Sequence, residues 1–388
     1  VTHGSTLRVG TPDGGSQARR YSRHTLLPEV GSAGQRALAD ARVVVVGAGG
    51  LAAAVLPLLA GAGVGLLTVV DDDVVELSNL HRQVIHRTDD IGIPKVESAV
   101  RFVRDLNPEI EVCGIQERLG VGNALPIFAE HDLVVDATDN FAARYLVNDA
   151  CVLLGLPLVW SSISRFDGQV TVWAYGESPC YRCIFPSAPP AGAVPSCAEG
   201  GVIGPLPGVM GAIQATEALK LLLGIGQPLA GRIVVHDALA GTWSEIPVTR
   251  DPGCAICGDN PTITTLREEA AMDPAADTDP VPLIAATELA GLISAGDAPL
   301  LVDVRGPEER AIVALPGAIP IELAQLRDGS GFDRLAGVDA GTVFYCKGGA
   351  RSAEAVRLVE AATGVRARSL DGGVLAWIDQ VDPSLPRY

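Results

Sequence analysis

The chain is short of positive charge: 29 lysines and arginines stand against 46 aspartates and glutamates, a formal net charge of −17. Nucleic acid and anionic membrane surfaces repel such a chain, so neither is expected as a partner. The first nineteen residues are polar and glycine-rich and lack the apolar segment of a signal peptide. Charge is missing altogether from Val43 to Val70, a run long enough for a membrane helix. Its internal order argues against one. A β-branched run at Val43–Val46, a turn at Gly47-Ala48-Gly49-Gly50 and a second apolar run ending at Asp71-Asp72-Asp73 spell strand, turn, helix and strand, all buried. The expectation is a soluble, cytoplasmic protein without internal repeats.

At 388 residues, 48% of them hydrophobic, the chain can fill more than one core. Strand-like and helix-like apolar runs alternate along most of it, which predicts an α/β class. Residues 1–19 read as disordered and 20–258 as one α/β domain. Residues 259–281, acidic and rich in proline and alanine, read as a linker. Residues 282–388 are enough for a second, independent α/β domain. Arg42–Val46, Leu66–Asp71, Leu133–Asp136 and Leu158–Ser161 are the expected strands of the first domain. Leu300–Val304 and Val343–Tyr345 are those expected in the second.

Gly47-Ala48-Gly49-Gly50-Leu51-Ala52 follows a strand and opens a helix. Gly47, Gly49 and Gly50 permit a tight turn and let phosphates approach backbone N–H groups at a helix N-terminus. Asp71 ends the next strand, where an acidic residue can accept a ribose hydroxyl. Taken alone, this pattern fits NAD as well as ATP. Its neighbourhood favours a triphosphate. Ser78-Asn79-Leu80-His81-Arg82-Gln83 and Lys95 bring cations after the acidic strand end, and Asp139-Asn140 follow another strand end, with Arg144 close behind. Cations offset phosphate charge, and Asp139 can hold Mg²⁺.

These residues, with Pro94-Lys95-Val96-Glu97, Asp136-Ala137-Thr138-Asp139-Asn140 and Leu206-Pro207-Gly208-Val209, resemble the E1-like MoeB/ThiF adenylating enzymes from about Arg20 to Gly258. The resemblance implies a Rossmann-like domain that uses ATP on a small ubiquitin-fold sulfur carrier ending in Gly-Gly. It implies that Arg82 and Lys95 hold phosphates, Asp139 binds Mg²⁺ and Asp71 binds the ribose. It also implies a homodimer in which Arg23 reaches the partner's ATP site.

Eight cysteines are present, and a chain this long has no need of a disulfide framework. Cys180-Tyr181-Arg182-Cys183 and Cys254-Ala255-Ile256-Cys257 are two C-x-x-C pairs flanked by proline and glycine, able to supply four thiolates to a structural Zn²⁺. The rival, a thioredoxin-type redox pair, opens a helix, and neither pair does so by pattern. The resembled family has zinc in the same places. Cys197, in Pro195-Ser196-Cys197-Ala198-Glu199, reads equally as a small loop residue or a reactive thiol; the resemblance makes it the one that bonds transiently to carrier or persulfide. Cys113 and Cys151 lie in apolar runs and are expected to be inert core residues.

Cys346-Lys347-Gly348-Gly349-Ala350-Arg351-Ser352 follows a strand and leads into a helical pattern at Ala353–Ala362. Backbone N–H groups of such a loop converge on the sulfur, and Lys347 and Arg351 are expected to add positive charge. The loop, with Leu301-Val302-Asp303-Val304-Arg305, Leu315-Pro316-Gly317-Ala318 and Asp371-Gly372-Gly373, resembles the rhodaneses. The order of the two regions resembles the fused adenylyltransferase/sulfurtransferases of the MoeZ and MOCS3 type, such as serve molybdopterin synthesis. The implied chemistry is an acyl adenylate on the carrier, attacked by a Cys346 persulfide drawn from thiosulfate or a cysteine desulfurase, with Cys346, Cys197 and Arg351 as catalytic residues. Three alternatives stay open: an E1 passing the carrier on as a thioester, a NAD-dependent oxidoreductase, and a carrier-binding scaffold without turnover.

Overall fold

The computed structural model describes residues 18–189, 201–267 and 281–387. The proposed disordered start up to residue 17, most of the proposed linker, and Cys197 lie outside the described residues. Two compact units emerge, one from residues 18–188 and 201–267, the other from 281–387.

The first unit is built on an eight-stranded sheet. In chain order the strands are β1 (Arg42–Val46), β2 (Leu66–Val70), β3 (Glu111–Ile115), β4 (Leu133–Asp136), β5 (Leu158–Ser164), β6 (Asp167–Trp173), β7 (Arg232–Asp237) and β8 (Thr242–Pro247). Their order is β3-β2-β1-β4-β5-β6-β7-β8, the first five parallel and the rest an antiparallel meander. The inner parallel strands β2, β1 and β4 carry helices on both faces and are buried on both. That explains why Val43–Val46 is uniformly apolar rather than alternating. The charge-free stretch is strand, turn, the helix Ala52–Ala62 and strand, and no helix among the described residues is long and apolar enough to cross a membrane.

Three departures from the sequence reading have local causes. The fifth strand runs to Ser164 because it continues into a hairpin with β6. The meander β6–β8 was not foreseen; β8 is exposed along its whole length and offers no buried face to read. Cys113 is exposed, not core, because β3 is the sheet's edge. Cys151 is buried as expected, and burial pushes its thiol well above the ordinary range.

The second unit is a five-stranded parallel sheet of β9 (Leu283–Ile284), β10 (Leu301–Asp303), β11 (Ile319–Pro320), β12 (Val343–Tyr345) and β13 (Arg368–Leu370), ordered β11-β10-β12-β13-β9. Separate apolar clusters form around Tyr345 with Trp377 and around Phe344 with Val356. They lie on opposite faces because Phe344 and Tyr345 are successive residues of one strand.

Candidate active sites

A cavity of about 740 Å³ opens beyond the carboxyl ends of β1, β2 and β4. Here the chain runs from β1 to β2 on one side, and from β3 crosses back to β4 on the other side of β1, the place where open α/β sheets bind ligands. Gly47 adopts φ +97°, and a Cβ on it would sit 2.8 Å from the Ala137 carbonyl oxygen, so only glycine fits the turn. A Cβ on Gly50 would meet Pro207 at 3.0 Å, which places the Leu206-Pro207-Gly208-Val209 segment against the loop. Ala52 is fully buried at the start of its helix, so its methyl meets the core.

Asp71 receives two backbone N–H groups, from Ala48 at 2.7 Å and Asp73 at 2.8 Å. Burial nevertheless raises its pKa above the ordinary carboxylate value. The Ala48 carbonyl in turn lies 2.9 Å from His86 Nε2, so the loop is gripped from both sides. No motif pointed to His86; only the fold brings it there. Lys95 reaches the cavity and pairs with Asp73 at 2.8 Å. Arg82 lines the cavity while donating to the Ser78 carbonyl at 3.0 Å. Gln83 is buried at the cavity wall with its Oε1 unpartnered. Gly49, Asp139 and Asn140 also line it, Asn140 accepting the Ala143 N–H at 2.9 Å as a helix N-cap. Arg144 is buried at the wall over the rings of Phe141 and Trp160, 5.2 and 5.9 Å from their centroids.

Other nominated residues sit back from the cavity. Ser78, Asn79, Leu80 and His81 form the turn that presents Arg82 and Gln83. Asn79 is buried there, accepting the Glu76 N–H at 3.3 Å, while the His81 ring lies 2.8 Å from Arg82. Arg23 is exposed on the short helix Ser22–Thr25, outside its own chain's cavity. Asp71, Asp72 and Asp73 lie within 4.8 Å of one another, and Asp139 is not in that group.

The two C-x-x-C pairs meet. Cys180 and Cys183 sulfurs lie 3.9 Å apart, Cys180 and Cys254 3.6 Å, and Cys183 and Cys257 3.3 Å. These separations exceed a disulfide bond and approach the ~3.8 Å edge of a tetrahedron with about 2.3 Å metal–sulfur bonds. Crowded, buried thiols cannot all ionise unaided: Cys183, accepting from Cys180, is held at about 5, while burial and the Cys183 sulfur push Cys257 up to about 12. A divalent cation at the centre would relieve that conflict. Between the pair, Arg182 makes a buried two-bond contact with Asp149 at 2.7 and 2.8 Å, tying the knuckle to the helix Phe141–Leu154.

In the second unit Cys346 directly follows β12 and is buried, with the Gly349 N–H 3.1 Å from its sulfur. Gly349 caps the helix Ala350–Thr363 at φ +103°. Val374 N–H donates to the Cys346 carbonyl at 2.8 Å, and a Cβ on Gly373 would sit 2.4 Å from the Lys347 carbonyl oxygen. That contact gives the Asp371-Gly372-Gly373 motif its reason. Arg305, fully buried, grips Asp303 at 2.8 and 2.6 Å and faces the Tyr345 ring. Arg351 lies on the first turn of Ala350–Thr363, and its guanidinium makes a two-bond pair with Glu309, at 2.6 and 2.8 Å.

A nucleotide-sized cavity behind a glycine turn, and a buried cysteine heading a helix-capping loop, define a two-unit transferase of adenylating and sulfur-transfer type. The ThiF family matches residues 21–256 and the rhodanese-like domain residues 285–380. The chain is 43% identical over 382 residues to the probable adenylyltransferase/sulfurtransferase MoeZ of Mycobacterium tuberculosis, covering 96% of this chain and 95% of that one. It is 55% identical over 248 residues to the sulfur carrier protein adenylyltransferase of Thermus thermophilus, covering 63% of this chain and 92% of that protein. The structure of Escherichia coli MccB with ATP aligns at a TM-score of 0.54 and 26% identity, over 62% of this chain and 74% of that one. The chain belongs to the ThiF family, in its fused adenylyltransferase/sulfurtransferase branch, and is an ATP-dependent transferase.

Proposed function

We propose that the enzyme activates the C-terminal Gly-Gly carboxylate of a small ubiquitin-like sulfur carrier with ATP and converts it to a thiocarboxylate. The observation that carries this is the pairing, in one chain, of the glycine-gated cavity walled by Arg82, Lys95 and Arg144 with the Cys346 loop. The sulfur carrier named for the Thermus relative and the ATP of the MccB structure support the substrates.

In this reading Asp71 accepts the ribose, Arg82 and Lys95 hold phosphates, and Arg23 serves the ATP site of a second copy in a homodimer. Mg²⁺ held by Asp139 supplies charge neutralisation to the triphosphate. Zn²⁺ held by Cys180, Cys183, Cys254 and Cys257 is structural, and the sulfurs' near-tetrahedral spacing supports it. Carboxylate attack on the α-phosphate releases pyrophosphate and leaves an acyl adenylate, whose AMP is a good leaving group. A Cys346 persulfide, loaded from thiosulfate or a desulfurase, attacks the acyl carbon and expels AMP. A thiolate, assigned to Cys197, then attacks the Cys346 sulfur, freeing the thiocarboxylate and leaving a disulfide for an external thiol to reduce. Joining both activities in one chain raises the local concentration of persulfide.

The test is intact mass spectrometry of a Gly-Gly-ending carrier incubated with enzyme, Mg-ATP and thiosulfate. The expected result is exchange of one oxygen for sulfur, lost in Cys346→Ala. Adenylate without that exchange would favour the thioester-passing E1, which needs Cys197 and not Cys346.

A further inference from the structure

Among the described residues, two neutral donors are placed at the Cys346 sulfur. One is the Gly349 N–H at 3.1 Å and the other the Ser352 hydroxyl at 3.5 Å, within bonding range of sulfur. Ser352 is fully buried on the first turn of Ala350–Thr363, and its Oγ also lies 2.9 Å from the Gly349 carbonyl oxygen. It has one proton for those two acceptors. The hydroxyl of Ser369, fully buried on β13, lies 2.8 Å from Ser352 Oγ. Ser369 can therefore donate to Ser352, leaving the Ser352 proton free to turn to either acceptor.

We infer that Ser369 and Ser352 form a two-hydroxyl relay that turns a hydrogen bond onto the Cys346 sulfur when it is anionic. It turns back to the Gly349 carbonyl when the sulfur is neutral. Ser352 is the catalytic member, since it touches the reacting atom, and Ser369 positions it. The inference rests on the reading of Cys346 as the sulfur-accepting thiol. In that step the Cys346 thiolate attacks the outer sulfur of thiosulfate. A sulfur–sulfur bond forms to Cys346, the bond to the sulfite sulfur breaks, and sulfite leaves with the electron pair. One negative charge moves from Cys346 to the new terminal sulfur, and no proton or outside reductant is consumed. A neutral donor that rotates onto the anion gives it a hydrogen bond and adds no fixed charge to oppose the product.

The experiment measures alkylation of Cys346 by iodoacetamide against pH in the full chain, tracked by peptide mass spectrometry. In Ser352→Ala the midpoint is expected to move up by about one pH unit. Ser369→Ala should move it the same way by less, and Ser352→Thr, which keeps the hydroxyl, should return it toward the parent. An unmoved midpoint in a folded Ser352→Ala overturns the relay, as does a shift confined to Ser369→Ala. Should Ser352→Ala fail to fold, Ser369→Ala alone decides, a shift supporting the relay and none overturning it. Sulfite release from thiosulfate by the parent enzyme is measured in parallel. Its absence would sink the sulfur-acceptor reading while the midpoints still judge the relay.

Discussion

Glu309 and Arg351, forty-two residues apart, face each other in a two-bond ion pair beside the Cys346 loop. Each side chain is under a fifth exposed, so solvent screens the pair only in part. Glu309→Gln removes that countercharge and leaves the positive charge of Arg351 less offset. The expected outcome is a KM for thiosulfate lowered about three- to tenfold at low salt, fading as ionic strength rises. A KM indifferent to both substitution and salt would mean that Arg351 does not sense the donor.

Lys95 is held ready at the cavity by Asp73. Removing its charge in Lys95→Ala should lower pyrophosphate exchange by about two orders of magnitude, the scale of a lost phosphate-stabilising group. Sulfite release at Cys346 should be untouched. A loss of both activities together would point to unfolding instead.

The turn at Gly47 makes a backbone prediction. Gly47→Ala faces both a left-handed φ of +97° and a 2.8 Å approach to the Ala137 carbonyl. The strain is about 1–3 kcal/mol before any contact is relieved. Isothermal titration with ATP should show binding weakened at least tenfold, and normal affinity would show that the loop has another conformation available.

Metal at the four cysteines is checked by elemental analysis and by heat. One zinc per chain is expected, and chelation, or Cys183→Ser, should lower the melting temperature of the first unit and spare the second. Zinc-free protein with unchanged melting would remove the structural role assigned to the cluster.

Buried histidines give the pH dependence. His86 and His131 are held below the ordinary value of 6.5 chiefly by burial. A depressed folded pKa means that the unfolded chain takes protons first. Their contribution is intact above about pH 6.5 and is lost as pH falls from there through the folded values. Denaturant midpoints should therefore decline below that pH. Replacing His131, whose ring bridges the Ile127 carbonyl and the Thr68 hydroxyl at 2.8 and 2.7 Å, should flatten the decline. Asp71 and Asp136, both raised by burial, act in the opposite sense at lower pH, so the comparison is parent against variant at each pH.

Much of this molecule is written locally. A strand, a glycine turn and a helix follow from β-branched Val43–Val46 and from Gly47, whose backbone needs no partner to favour a turn. The Cys346 loop likewise follows from glycines ahead of a helix. Each such signal lies within a few residues, where sterics alone decide.

What tertiary structure decided is everything that depends on distance. The sequence holds two C-x-x-C pairs, but only the fold sets Cys180 3.6 Å from Cys254. His86 under Ala48, and Ser369 behind Ser352, belong to no motif and become partners because neighbouring strands and helices bring them into contact. The charge of Arg351 was legible, but its engagement was not, since Glu309 comes from a separate helix. Electrostatic partners are chosen by where packed elements leave their side chains, and that choice is made only when the apolar faces have closed.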